Sequence, residues 1–194
     1  MACHTMNLAY MALRLGAPTS VSANLATPLN PETGPQGCTV TYEFPARGDL
    51  PACRLTWYEV GRPPNNLFHG ETPGGSGSLL VGSKGTLYSP DDYGGRYTLL
   101  PRADFANFRP PAQTLPRSPG GSHHQEWIAA CKGGAPALSN FVDYAGQFAE
   151  TVLLGNVAMR AGKRVVWEAE RMRATDLAAA DRYIRREYRK GWSL

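Results

Sequence analysis

Apolar and polar positions along the 194 residues fall into two regimes. The first half favours strands. Cys38 to Phe44 and Cys53 to Val60 carry β-branched and aromatic residues in partial alternation, and Ser20 to Ala26 reads as a weaker strand. Pro45 to Pro51 has the length of a hairpin connection. Ser78 to Val81 and Thr86 to Ser89 form a short hairpin across Gly82-Ser83-Lys84-Gly85. Between them, Gly61 to Gly77 is a long loop rich in Pro, Gly and Asn.

The second half changes to helical spacing. Ser122 is an N-cap with Gln125 three positions on, so a helix opens at His123 and His124 and stops at Gly133-Gly134, with Trp127, Ile128 and Cys131 as its apolar stripe. A longer helix starts at Ser139-Asn140 and closes at Gly162. Phe141, Ala145, Phe148, Val152, Asn156 and Met159 share its face, and at roughly 1.5 Å per residue it runs about 30 Å. Met1 to Leu15 reads as an opening helix with His4, Leu8, Met11 and Leu15 on one face. Arg164 to Glu168 reads as a strand, Asp176 to Lys190 as a closing helix, and Tyr97 to Pro119 as irregular. Strands in one block and helices in another predict an α+β fold: an open, mainly antiparallel or mixed sheet with helices packed on one face.

Length fits one domain, 1–194, able to bury roughly 70% of the surface its unfolded chain exposes. The four cysteines, at 3, 38, 53 and 131, show no CxxC pair and read as buried or half-buried free thiols. No apolar run approaches the ~20 residues that span a bilayer, and no signal peptide is legible, so a cytoplasmic protein without membrane partners is expected. The net charge of +4 sets 20 basic against 16 acidic residues. The basic cluster Arg182, Arg185, Arg186, Arg189 and Lys190 is read as a solvated helix face and not as a nucleic-acid patch.

Gly75-Ser76-Gly77-Ser78 is not a dinucleotide fingerprint, because it lacks the third glycine and leads into a strand. His123 and His124 are poor zinc ligands, since adjacent histidines point to different sides of a helix, and no metal site is expected. For His4 the residues leave two readings, a core histidine or a reactive one. Trp57, Tyr58 and Arg54 lie on a strand that either faces a sugar or packs into the core.

Five separated blocks place the chain further: MACHTMNLAYMALRLGAP, VTYEFPARGDLPACRLTWYE, HHQEWIAACKGG, YAGQFAETVLLGNVAMRAGK and the ending REYRKGW. Together they resemble the C-terminal substrate domain of the Gfo/Idh/MocA oxidoreductases, bacterial type, over essentially the whole chain. The resemblance implies an open sheet that binds a sugar or polyol and forms oligomers, working with an N-terminal Rossmann domain that holds NAD or NADP. It implies that His4 is the histidine of an Asp-x-x-x-His motif, taking a hydroxyl proton as hydride leaves; imidazole suits this with a reference pKa of ~6.5. His123 and His124 either line the substrate pocket at a helix N-terminus or simply cap and pack, and with Arg54 and Trp57 they are the candidate substrate contacts.

The motif's aspartate falls one residue before Met1, and neither the family's Glu-Lys-Pro nor its glycine fingerprint occurs. The expectation is therefore an N-terminally truncated domain, inactive alone and binding no cofactor itself, whose upstream DNA encodes aspartate. Its partners are a sugar-like small molecule, the missing Rossmann domain and its own copies. The alternatives are a stand-alone carbohydrate-binding or scaffolding module, or part of an NAD-dependent glycoside-cleaving relative.

Overall fold

A computed structural model describes residues 1–193. In chain order they form helix α1 (Ala2–Ala12), strands β1 (Ser20–Leu25), β2 (Cys38–Phe44), β3 (Cys53–Tyr58), β4 (Ser78–Gly82), β5 (Gly85–Ser89) and β6 (Thr98–Leu100), helices α2 (His123–Cys131) and α3 (Gly146–Ala161), strands β7 (Val165–Glu168) and β8 (Arg173–Ala174), and a short helix α4 (Asp181–Ile184). The fold is α+β. Its strands make a five-stranded sheet of order β3-β2-β1-β7-β8 and a three-stranded sheet of order β4-β5-β6. Every pairing is antiparallel, so of the two expected sheet types the mixed one is not realised.

Alternation in β2 decides how the large sheet packs. Cys38, Val40, Tyr42 and Phe44 are buried, while Thr39, Thr41 and Glu43 are only half-buried. The register sets Val21 of β1 and Leu55 of β3 on either side of Tyr42, so one apolar face runs across three strands. Helix α3 lies on it through Phe148, Thr151, Leu154, Gly155 and Ala158. Gly155 is the point of closest approach: a Cβ there would stand 2.6 Å from the Tyr42 hydroxyl and 3.3 Å from Val40.

The expected α3 stripe is shifted. Phe141 is 83% exposed and Asn156 also faces solvent. One cause is a π-helical turn over Phe141–Ala145, whose wider pitch breaks the register with the helix that follows. The other is Gly155, which draws the helix onto the sheet along the 151–155–158 line.

Helix α1 also turns a different face inward. Met6 and Tyr10 are buried, four residues apart, whereas His4 and Met11 are exposed and Leu8 is half-buried. The larger aromatic decides the rotation: Tyr10 packs against Phe44, Tyr144 and Phe148, and its hydroxyl donates to the Gly16 carbonyl at 2.8 Å.

Three further expectations are corrected. No residue of α2 is buried, and Trp127 is 63% exposed, so its apolar stripe faces outward. The closing helix shrinks to α4, after which Arg185 is extended. Arg185 to Lys190 supply four positive charges and one negative with no buried anchor, and among the basic cluster only Arg182 sits on a helix. Strand β6 lies inside the stretch read as irregular, because three residues beside Pro101 are too short a run to alternate.

There are two cores. The main one joins α1, the large sheet and α3; the second consists of Phe68, Tyr88 and Leu100, with Leu79 packed against them. Cys38 is buried and Cys53 half-buried as expected, but Cys3 and Cys131 are exposed. The Cys38 thiol, 3.3 Å from a Glu59 carboxylate oxygen, is pushed up to about 12, first by burial and then by that carboxylate. No helix among the described residues is long and apolar enough to cross a membrane.

Candidate functional site

Strand β3 is the edge of the large sheet, so both of its faces reach the space beside it. That space is a cleft of about 990 Å³, bounded by α1 at Thr5 and Ala9, by β3 and by the small sheet. Arg54 and Trp57 both line it. Arg54 is exposed and its Nε donates to Glu43 at 2.6 Å across the strand pair. Trp57 is half-buried, packs on the main core and also lines the cleft.

His4 is not a core histidine. It is exposed, on the same helical turn as the cleft residues Met1 and Thr5, and is not itself among the residues lining the cleft. Its ring meets Tyr93 in a T-shaped contact, with centroids 5.3 Å apart and planes at 73°. The turn is well anchored, since Met6 is buried and Ser78 Oγ donates to the Thr5 carbonyl at 2.5 Å.

His123 and His124 stand elsewhere, exposed in the first turn of α2 and also absent from the cleft lining. Ser122 caps that helix, accepting from the Gln125 N–H at 3.3 Å. The two rings do not diverge as helical geometry suggested; they lie 4.0 Å apart with a 36° tilt, because first-turn side chains in solvent are free to fold together. Beside them, Glu126 accepts from Leu138 N–H at 2.7 Å and Ser118 Oγ at 2.8 Å. Those bonds, the backbone one foremost, hold its carboxyl below the ordinary range. Among the described residues no group of three or more His, Cys, Asp and Glu side chains is placed to hold a metal ion.

The structure thus joins Arg54 to Trp57, and sets His4 on the cleft's helix without joining it to His123 or His124. It adds a residue that the sequence reading passed over, Tyr93, on the loop between β5 and β6. The wording Pro90-Asp91-Asp92-Tyr93-Gly94-Gly95 is a turn signature, because an Asp side chain can accept from amides two or more residues ahead. It also leaves an apolar surface open: Phe141 and Val142 are 83% and 90% exposed, near the sequence that Glu126 ties to α2.

Contiguous exposed apolar side chains mark contact surfaces. The chain is expected to sediment as a dimer or larger species at tens of micromolar, and Phe141→Ser with Val142→Ser is expected to return it to monomer. Its far-UV circular dichroism should be unchanged, and only the stabilisation that association adds to the wild type should be lost from the melting temperature. A wild-type chain that stays monomeric in analytical ultracentrifugation would count against this surface as an interface. No protein-family model and no curated protein matches the chain.

Proposed function

We propose that the chain is the substrate-binding and oligomerisation domain of an NAD(P)-dependent sugar or polyol oxidoreductase of the Gfo/Idh/MocA type, acting in the cytoplasm. The observation that carries the reading is an accessible imidazole, His4, on a rigid turn next to a cleft large enough for a sugar ring. Imidazole accepts a hydroxyl proton near neutral pH. The polar edges of Arg54 and Tyr58 and the ring of Trp57 supply the mixture of hydrogen-bonding and flat apolar surface that a polyhydroxylated ring requires. The exposed Phe141 and Val142 supply a surface for further copies of the chain.

The glycine-rich turn at 74–77 does not fit the pyrophosphate of a nicotinamide dinucleotide. It is packed against Ser89 and Pro90, where a Cβ on Gly77 would come within 2.2 Å of the Ser89 carbonyl oxygen, and it opens into β4 instead of a helix. Its Gly74 N–H is taken by the Tyr88 hydroxyl at 2.7 Å, and with no helix behind it the turn lacks the dipole that a pyrophosphate site uses. The proposal therefore assigns this chain the substrate side of the reaction only.

The test is direct binding. Hexoses and inositols, titrated by calorimetry, are expected to bind saturably, and Trp57→Phe or Arg54→Ala to weaken them about tenfold, the loss of one good contact. No binding of any hexose or inositol at millimolar concentration would sink the reading.

A further inference from the structure

The loop joining β5 to β6 carries a large aromatic into solvent on a backbone that is tied down. Tyr93 is 79% exposed. An exposed side chain in a glycine-rich loop has every entropic reason to move. Here Asp91 opposes that: its Oδ1 accepts the N–H groups of Tyr93 at 2.9 Å and Gly95 at 3.0 Å, and its Oδ2 accepts that of Arg96 at 3.3 Å. Buried Ser89 closes the base of the loop by donating to the Arg96 carbonyl at 2.8 Å, and Ser76 is hydrogen-bonded to Asp92.

The loop is also docked on α1. Gly94 has a φ of 68°, and the Cβ it lacks would lie 3.2 Å from Leu8. Consecutive loop residues therefore meet His4 and Leu8, four positions apart on one helix face. The outcome is a corner of two accessible rings whose planes meet at 73°, each with a polar tip.

We infer that Tyr93 is a positioning residue for His4, fixing the imidazole by edge-to-face contact and forming the aromatic wall against which the C–H face of a pyranose or cyclitol packs. The inference rests on the reading of His4 as the reacting base. Such a contact restricts rotation of the imidazole, which an exposed histidine on a first helical turn otherwise explores freely. A sugar ring is complementary to the corner, because its axial C–H groups suit the phenol face while its hydroxyls reach the imidazole nitrogen.

The experiment uses the full chain with isotope-labelled histidine, as wild type and as Tyr93→Phe, Tyr93→Ala and Asp91→Ala. In Tyr93→Phe the His4 ring-proton shifts should stay at their wild-type values, because the aromatic ring remains. In Tyr93→Ala they should move to those of a solvated histidine. In Asp91→Ala they should move the same way although both rings are present, which separates positioning from simple contact. Circular dichroism should show all four proteins equally folded. Unchanged His4 shifts in Tyr93→Ala would overturn the inference.

A second arm adds glucose and myo-inositol as probes. Tyr93→Ala should weaken binding about tenfold and Tyr93→Phe less than about threefold. Equal affinity in wild type and Tyr93→Ala would overturn the wall. If wild type binds neither sugar, the reading of the function fails on that probe pair, and the histidine shifts still decide whether Tyr93 positions His4.

Discussion

Tyr42→Ala is expected to lower the unfolding free energy by about 3–5 kcal/mol, the usual cost of deleting a large buried aromatic. Tyr42 is 2% exposed, in the strand flanked by β1 and β3, with Val21 and Leu55 as its register partners and Phe44 stacked 6.4 Å away. Burial raises its hydroxyl well above the ordinary tyrosine value, so the side chain stays neutral and packs as one shape at any working pH. A domain typically has only about 5–15 kcal/mol in hand, and urea denaturation should show the midpoint falling steeply.

The same residue gives a sharper test through Gly155. Alanine there gains up to about 1 kcal/mol of helix propensity, but its methyl group meets the Tyr42 hydroxyl at 2.6 Å. Gly155→Ala should therefore destabilise the wild type and become neutral or stabilising in a Tyr42→Phe background. Strictly additive effects in that cycle would show that α3 is not set on the sheet by this contact.

The second large effect is expected at Trp167, which ties β7 to α3. It is 6% exposed, and its indole Nε1 donates to Glu150 at 2.7 Å. Trp167→Ala removes the ring and leaves a half-buried carboxylate without its donor, for a loss of about 3–5 kcal/mol. Trp167→Phe keeps most of the volume and should cost about 1–3 kcal/mol, mainly the unsatisfied Glu150. If Trp167→Ala melts within a degree or two of wild type, this end of the sheet does not belong to the cooperative core.

Strands were the more legible half of the fold. Cys38–Phe44 matches its sequence reading residue for residue, and the hairpin at β4 and β5 is one residue longer at its turn. Alternation and glycine turns are local signals, and they survive folding. The helices were found but rotated: spacing alone ranks Leu8 and Met11 with Met6 and Tyr10, and only the pocket of Phe44, Tyr144 and Phe148 decides for Tyr10.

The closing helix failed for a related reason, since a helical pattern needs something to bury and Arg185 to Lys190 offer five charges and one aromatic, Tyr188, which stays 47% exposed. The candidate site was legible in part. Arg54 and Trp57 meet in one cleft because they share a strand, whereas the meeting of His4 with Tyr93 crosses 89 positions of sequence and depends on a loop tied by Asp91, Ser89 and Ser76. His4 was set apart by resemblance, and nothing local pointed to its partner.

The two separate cores have a consequence for how such a site changes over generations. His4 rides on a helix locked into the large core, while Tyr93 hangs from strands held by the small cluster of Phe68, Tyr88 and Leu100. A substitution in the small cluster bears on the Tyr93 loop and on Ser78, whose hydroxyl holds the Thr5 carbonyl, while Met6 and Tyr10 keep α1 seated in the large core. The two sides of the His4–Tyr93 contact can thus accumulate changes through different clusters.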